Sequence, residues 1–377
     1  MNRQEYRAAM ENVIYLSRCA VNGVNPGRER VGNMDLAALY AAADRHMMTA
    51  VVAMALESAG VKDDAFVKAE AKSIRKSVAL DGELRRVAAR LEAAGIWYMP
   101  LKGAVMKNYY PRLGMRQMAD CDVLFDPARA REVREIMEDL GYTAEEFGKG
   151  HHDLYTKAPM YVMEMHRHLF DYSPRTPFYR YYADVRTRLI PDGDHPCRLS
   201  FSDEDFYLYL LAHEYNHYTG AGIGLRANLD IYVFWKRFSD SLDRAYIAGE
   251  LKKLDLSEFE RKSRELATAL FGDGELSNEG REILENHLLA GRFGSEEHRV
   301  KNGVEQMGGG ASGRLQYALG RLFPSKEFIQ EFYPYFWRHK LLLPFLPLYR
   351  LVQGMVMDWP RVRAEIKALF RPGGRER

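Results

Sequence analysis

Apolar residues recur at three- and four-residue spacing through most of the first 93 residues, a rhythm that predicts helices. The run MDLAALYAAADRHMMTAVVAMALESAG (34–60) stops at Gly60, and the run that begins DDAFVKAEAKS ends at Gly95; glycine suits both helix ends. The rhythm then changes. IWYMPLKG (96–103) is a short aromatic and apolar run closed by glycine, which predicts a strand, followed by a helical AVMKNYY and a loop, PRLGMRQM. ADCDVLF (119–125) alternates apolar and acidic residues with period two, again a strand. PARAREVREIMEDLG (127–141) is an amphipathic helix with proline at its start and glycine at its end. YTAEE and LYTKAPMYVMEMHRHL supply further strand-like segments. From Asp203 the helical rhythm returns through DEDFYLYLLAHEYNHY, LRANLDIYVFWKRF, DRAYIAGELKKL, EFERKSRELATALF and REILENHLL. The Gly-rich, polar segment 294–315 reads as a mobile loop or linker.

This pattern predicts an α+β protein. A small mixed-sheet core at 94–200 is expected between helical regions at 1–93 and 201–293, with a Gly-rich linker and a further helical region at 294–377. A net charge of +2 over 377 residues advertises neither nucleic acid nor membrane as partner. Three cysteines, Cys19, Cys121 and Cys197, are too few and too scattered for a disulfide framework or a cysteine zinc site. The N-terminus lacks the apolar stretch of a signal peptide, so a reducing cytoplasm is the expected home. The most apolar stretch, 341–359, is interrupted by Pro344, Pro347 and Arg350; it predicts a buried or partner-facing helix rather than a membrane span.

The chemistry gathers on the predicted sheet. Alternate side chains of a strand share a face, so Asp120 and Asp122 point one way while Cys121, Val123 and Phe125 point to the core. Two carboxylates side by side in the open repel each other, and a divalent cation removes that cost. In YVMEMHRHL, Glu164 and His166 share a face opposite Met163 and Met165. Pairing of these strands would set Glu164 beside the aspartates, a three-carboxylate cage for two Mg²⁺ ions in phosphoryl or nucleotidyl transfer. Lys102 and Gly103 open a helix after a strand, a ready phosphate site, and Arg112 and Arg116 lie in the following loop within reach of a triphosphate.

LKGAVMKNYYPRLGMRQMADCDVLF, a helix ending LGY, and VMEMHRHL together resemble the nucleotidyltransferase superfamily that includes DNA polymerase beta. The chain looks most like a bacterial branch of uncharacterised nucleotidyltransferases with the pattern L-K-G, Y-P, R-x-x-x-D-h-D-h-h and h-E-h-H-W, where h is apolar. Leu101-Lys102-Gly103, Tyr110-Pro111, Arg116, Asp120, Asp122, Glu164 and His166 match it. The C-terminal LFPSKEFIQEFYPYFWRHKLLLPFLPLYRL is similar to the same branch. Two positions depart: Cys121 stands where a branched aliphatic is usual, and Arg167 replaces the tryptophan. Lys102-Gly103 is also a looser phosphate motif than the superfamily's Gly-Ser or Gly-Gly. The resemblance implies catalytic and metal-binding roles for Asp120, Asp122 and Glu164. It also implies nucleotide-binding roles for Lys102, Gly103, Arg116 and His166, to which the position of Arg112 in the loop adds a fifth candidate.

A competing motif is His213-Glu214-Tyr215-Asn216-His217, the H-E-x-x-H of zinc peptidases. Its histidines share a helix face, but Ile223 stands where a metzincin has its third ligand, and Asp230 is the sole acid in the next helical segment. The expected role of this helix is to border the cleft with His213, His217, Arg226 and Asp230, a placement that the resemblance also implies. His151-His152-Asp153 precedes a strand rather than a helix, so a solvated loop is expected there. The sequence thus predicts transfer of a nucleoside monophosphate from an NTP to an acceptor hydroxyl. The acceptor is left open between a sugar or other small molecule, a protein and an RNA 3′ end. The alternatives are a catalytically degenerate binding or toxin-partner protein and the zinc peptidase.

Overall fold

A computed structural model describes residues 1–370 except 149, 174, 175, 292–295, 306 and 358. The chain divides into two compact units, Met1–Ala212 with Leu225–Leu284, and His213–Gly224 with Glu285–Arg377. The fold is α+β, as the periodicities predict.

The first unit holds a five-stranded mixed sheet. Its strands are β1 (Tyr98–Pro100), β2 (Cys121–Phe125), β3 (Thr143–Glu146), β4 (His152–Lys157) and β5 (Tyr161–His166), in the spatial order β1-β2-β5-β4-β3. β2 and β5 run parallel, and every other neighbour is antiparallel. The strand-like stretch from Leu154 to Leu169 is therefore a β4–β5 hairpin, whose second strand docks against β2.

One face of the sheet is the core. Cys121, Val123, Phe125, Tyr155, Met163 and Met165 pack there against Leu80, Val87 and Leu91 of the Asp64–Ala93 helix and Val133, Ile136 and Met137 of the Ala130–Asp139 helix. Burying an aliphatic or aromatic side chain of this size contributes about 1.5–3 kcal/mol, so this face fixes the strand phase. Once it does, Asp122, Glu164 and His166 have to occupy the opposite face. The loop before β2 is anchored too: Ser73 Oγ donates to the Gly114 carbonyl at 2.6 Å, and Lys76 Nζ donates to the Ala119 carbonyl at 2.5 Å. Gly114 has φ +78° and presses on the backbone of Ile74, so a side chain does not fit there.

In the second unit, the segment 294–315 differs from the loop expected of it. It carries the helices Glu296–Glu305 and, from Gly310, Gly310–Leu322. Two of its glycines serve close approach: a Cβ at Gly303 would meet the Tyr317 ring at 2.4 Å, and one at Gly313 the Val304 carbonyl at 2.6 Å, whereas Gly308, Gly309 and Gly310 have open space around them. The apolar 341–359 stretch forms a short 3₁₀ segment, Lys340–Phe345, and the helix Leu346–Met357. Leu341, Leu348 and Val352 are exposed, so this end is not buried within the chain. No helix among the described residues is long and apolar enough to cross a membrane.

Candidate active site

The parallel register sets Asp122 on β2 directly beside Glu164 on β5, and the β4–β5 register sets His152 beside His166. These four side chains belong to the non-core face, and the β2–β5 pair brings three of them together. Asp122, Glu164 and His166 each offer a ligand atom, all within 4.8 Å of one another. His166 Nε2 lies 3.0 Å from Asp122 Oδ1 and 3.5 Å from Glu164 Oε2. Lys102 Nζ is 2.8 Å from the same Asp122 oxygen.

Asp122 is not the open carboxylate that strand alternation alone implies. It is 4% exposed, beneath Lys102 and His166. Burial resists its ionisation, but the ammonium of Lys102 and the hydrogen bond from His166 outweigh it and hold the carboxyl well below the usual range. Burial likewise works against the charge of Lys102, and Asp122 reverses the balance, so the ammonium is held. Asp120, one residue before β2, behaves oppositely. Burial first, then the charges of Asp122 and Glu164, push it up to about 6, against the pull of Lys102 and Arg226.

Lys102 has φ +41° and opens the short helix Lys102–Met106 directly after β1, which sets its side chain over β2. Gly103 is closely packed: a Cβ there would meet the side-chain ends Arg116 Nη1 and Met118 Cε, each at 2.7 Å. Arg116 itself is buried and engaged with Asp230, Nε to Oδ1 at 2.8 Å and Nη2 to Oδ2 at 2.7 Å. Tyr110 adds a hydroxyl donated to Asp230 Oδ1 at 2.7 Å. Arg112 faces Glu57 and Glu70, at 3.0 and 3.4 Å. The structure therefore brings Asp122, Glu164, His166 and Lys102 together, sets Asp120 near enough to feel the charges of Asp122, Glu164 and Lys102, gives Gly103 and Arg116 supporting positions, and leaves Arg112 paired elsewhere.

Arg226 is the cation nearest to taking the role foreseen for the loop arginines. Its Nη1 donates to the Gln117 carbonyl at 3.1 Å, and it makes no ion pair with a carboxylate among the described residues. Burial and the nearby charge of Arg116 lower its pKa. The Arg226-x-x-x-Asp230 spacing on one helix was the readable signal: one turn sets Arg226 beside the acid that anchors Arg116.

Sequence reasoning missed the surroundings of His166. His151-His152-Asp153 is not a solvated loop, because His152 opens β4 and both histidine rings face His166, with centroids 5.3 and 5.1 Å from it. Burial pushes His152 down to about 4. Arg167 donates from Nη2 to the Gly150 carbonyl at 2.8 Å and so braces this turn. His213 and His217 lie in the second unit with their Nε2 atoms 3.0 Å apart, and among the described residues no third histidine, cysteine or acid completes a ligand set with them.

Asp122 and Glu164 on adjacent parallel strands, with His166 and faced by the part-buried Lys102, form a group able to hold a metal ion. Residues 32–272 match the family model described as uncharacterised nucleotidyltransferase, and the chain belongs to that family. No curated protein matches the chain, and neither does any solved structure.

Proposed function

We propose that the protein moves a nucleoside monophosphate from an NTP to an acceptor hydroxyl. The acceptor oxygen forms a bond to the α-phosphorus, the bond from that phosphorus to the β-phosphate bridge breaks, and pyrophosphate leaves. The observation that carries this reading is the in-register pairing of Asp122 with Glu164, two acids whose charges also act on Asp120.

The donor set fits a hard divalent cation. Asp120, Asp122 and Glu164 offer oxygens, and the charges of Asp122 and Glu164 add to burial in raising the pKa of Asp120. We assign these three residues to Mg²⁺, with two ions expected. His166, a nitrogen donor that Mg²⁺ does not favour, is assigned to orienting Asp122. When bound, such ions supply positive charge to the phosphates and to the attacking and leaving oxygens.

The chain's own residues do the rest. Lys102, which lies against Asp122, would bind the phosphates together with Arg226. Arg116 and Tyr110 hold Asp230, and through it the Arg226 helix, at a fixed distance from β2. Glu164 is the more exposed acid of the Asp122–Glu164 pair, and it takes the proton of the acceptor hydroxyl. Fixed orientation and preorganised charge then supply most of the rate enhancement.

The Lys102–Asp122 ion pair favours one further reading, because a non-catalytic descendant would retain a lysine in place of a metal. Calorimetric titration with Mg²⁺ and each NTP separates the two, since a site closed by lysine shows no metal-dependent heat of nucleotide binding. Activity is sought with labelled NTPs against small metabolites, tRNA and protein lysate. Asp122→Asn is expected to abolish any Mg²⁺-dependent transfer found, and near wild-type turnover in that variant would remove the metal assignment.

A further inference from the structure

Next to the acidic cluster lies a second group of ligands, made of nitrogen. His151, His152 and His166 each offer a ring nitrogen, and the three atoms lie within 4.8 Å of one another. His166 is fully buried, and its Nδ1 has no hydrogen-bond partner among the described residues. Leaving such a nitrogen dry and unpaired costs about 1–3 kcal/mol, so its retention calls for a reason.

The hydrogen bonds around the rings supply one. His166 Nε2 faces the carboxylate of Asp122 at 3.0 Å; a carboxylate accepts, so this nitrogen carries the proton and Nδ1 presents a lone pair. His151 repeats the arrangement, with Nδ1 donating to Asp171 Oδ2 at 2.9 Å and Nε2 left with its lone pair. Imidazoles that ligate metal through one nitrogen characteristically donate the other N–H to a carboxylate, which fixes tautomer and ring orientation. His152 Nδ1 stands 3.2 Å from His151 Nε2, where two nitrogens on one tetrahedral ion at the usual bond length would be about 3.3 Å apart. In the metal-free site a single proton on His152 Nδ1 bridges that gap. A cation replaces it when the proton moves to Nε2 of the same ring.

The backbone holds the three rings in place. His152 and His166 are cross-strand partners, and the His151 carbonyl accepts from both Arg167 N, at 2.8 Å, and His168 N, at 3.1 Å. The turn begins at Gly150, whose φ of +62° favours glycine.

We propose that His151, His152 and His166 form a binding site for one divalent transition-metal ion of the Zn²⁺ class. Asp122 and Asp171 orient two of the rings, and the fourth coordination position is open. Three neutral imidazoles select Zn²⁺ or Co²⁺ over Mg²⁺, so the site is chemically distinct from the carboxylate cluster although His166 and Asp122 link the two. Binding here does not depend on nucleotidyl transfer.

The test is a Co²⁺ titration of the chelator-treated full chain, read by the visible absorption of four-coordinate Co²⁺, with circular dichroism to verify folding. One equivalent is expected to bind, to be displaced by Zn²⁺ and to resist excess Mg²⁺. His152→Ala should abolish the band. Asp171→Asn, a change at an exposed residue that is not a ligand, should weaken affinity about 10–100-fold. His213→Ala combined with His217→Ala should leave the titration unchanged. Absence of saturable binding to folded wild type would overturn the proposal. So would a band that survives His152→Ala, an affinity unaffected by Asp171→Asn, or a band lost with His213 and His217.

Discussion

Asp120→Asn should make the metal-free protein more stable, by an amount that depends on pH. In the folded protein the Asp120 carboxyl titrates at about 6 rather than at its ordinary 3.8, through burial and the charges of Asp122 and Glu164. Each pH unit between the two values is worth about 1.4 kcal/mol, so keeping Asp120 ionised in the fold costs on the order of 3 kcal/mol. The sign follows from the direction. A carboxyl whose folded pKa is raised carries no penalty below the unfolded value, a growing one from 3.8 to about 6, and the whole of it above. Asparagine keeps the shape of the neutral acid and escapes the penalty. At pH 8 in chelator the variant should gain about 2–3 kcal/mol, a Tm rise of roughly 4–6 °C for a unit of this size. At pH 5 the gap should shrink, and near pH 4 it should close. Thermal unfolding of both proteins across this range measures it. A variant no more stable than wild type at pH 8, or a gap that ignores pH, would refute the reasoning that burial and the neighbouring carboxylates penalise ionised Asp120.

Asp122→Asn should act in the opposite sense and destabilise the metal-free protein at neutral pH, because its carboxylate is the partner of both Lys102 and His166; urea unfolding beside Asp120→Asn tests the contrast. Gly103→Ala should cost about 1–3 kcal/mol by overpacking, since the atoms it meets include an Arg116 guanidinium already fixed on Asp230; an unchanged urea midpoint would show that this pair yields freely. Asp230→Ala strands the buried Arg116 and should lose about 3–5 kcal/mol, with a loss under about 1 kcal/mol in the same assay counting against a compensated ion pair.

Local pattern carried the sheet well and the site in part. Period two in ADCDVLF and YVMEMH put Cys121, Met163 and Met165 on the core face, and all three are buried. The same alternation treated Asp120 and Asp122 as equivalent open carboxylates. Their difference comes from partners distant in sequence, Lys102 on one side and His166 on the other, which no local period encodes. Arg116 was legible as a loop arginine but not as the partner of Asp230, which lies 114 residues on. The polar glycines of 294–315 resembled a linker because composition does not distinguish a flexible glycine from one that lets two helices touch. The histidines at 151 and 152 looked solvated because what faces them, His166, arrives only through the β4–β5 pairing.

The parallel pairing of β2 with β5 has a further consequence, for the order in which the protein can be made. As synthesis proceeds from the N-terminus, the strand bearing Asp122 emerges with β1 as its only available neighbour. The edge that β5 later fills stays open while the Ala130–Asp139 helix and the β3–β4 strands are still being added. Pairings between strands far apart in the chain close late, since loop entropy is spent before contacts compensate it. Until β5 docks, Asp122 lacks His166 and Glu164, so a nascent or truncated chain ending before Tyr161 carries aspartates but no assembled site. The Asp122–Glu164–His166 group is therefore completed in a single late step, coupled to completion of the sheet.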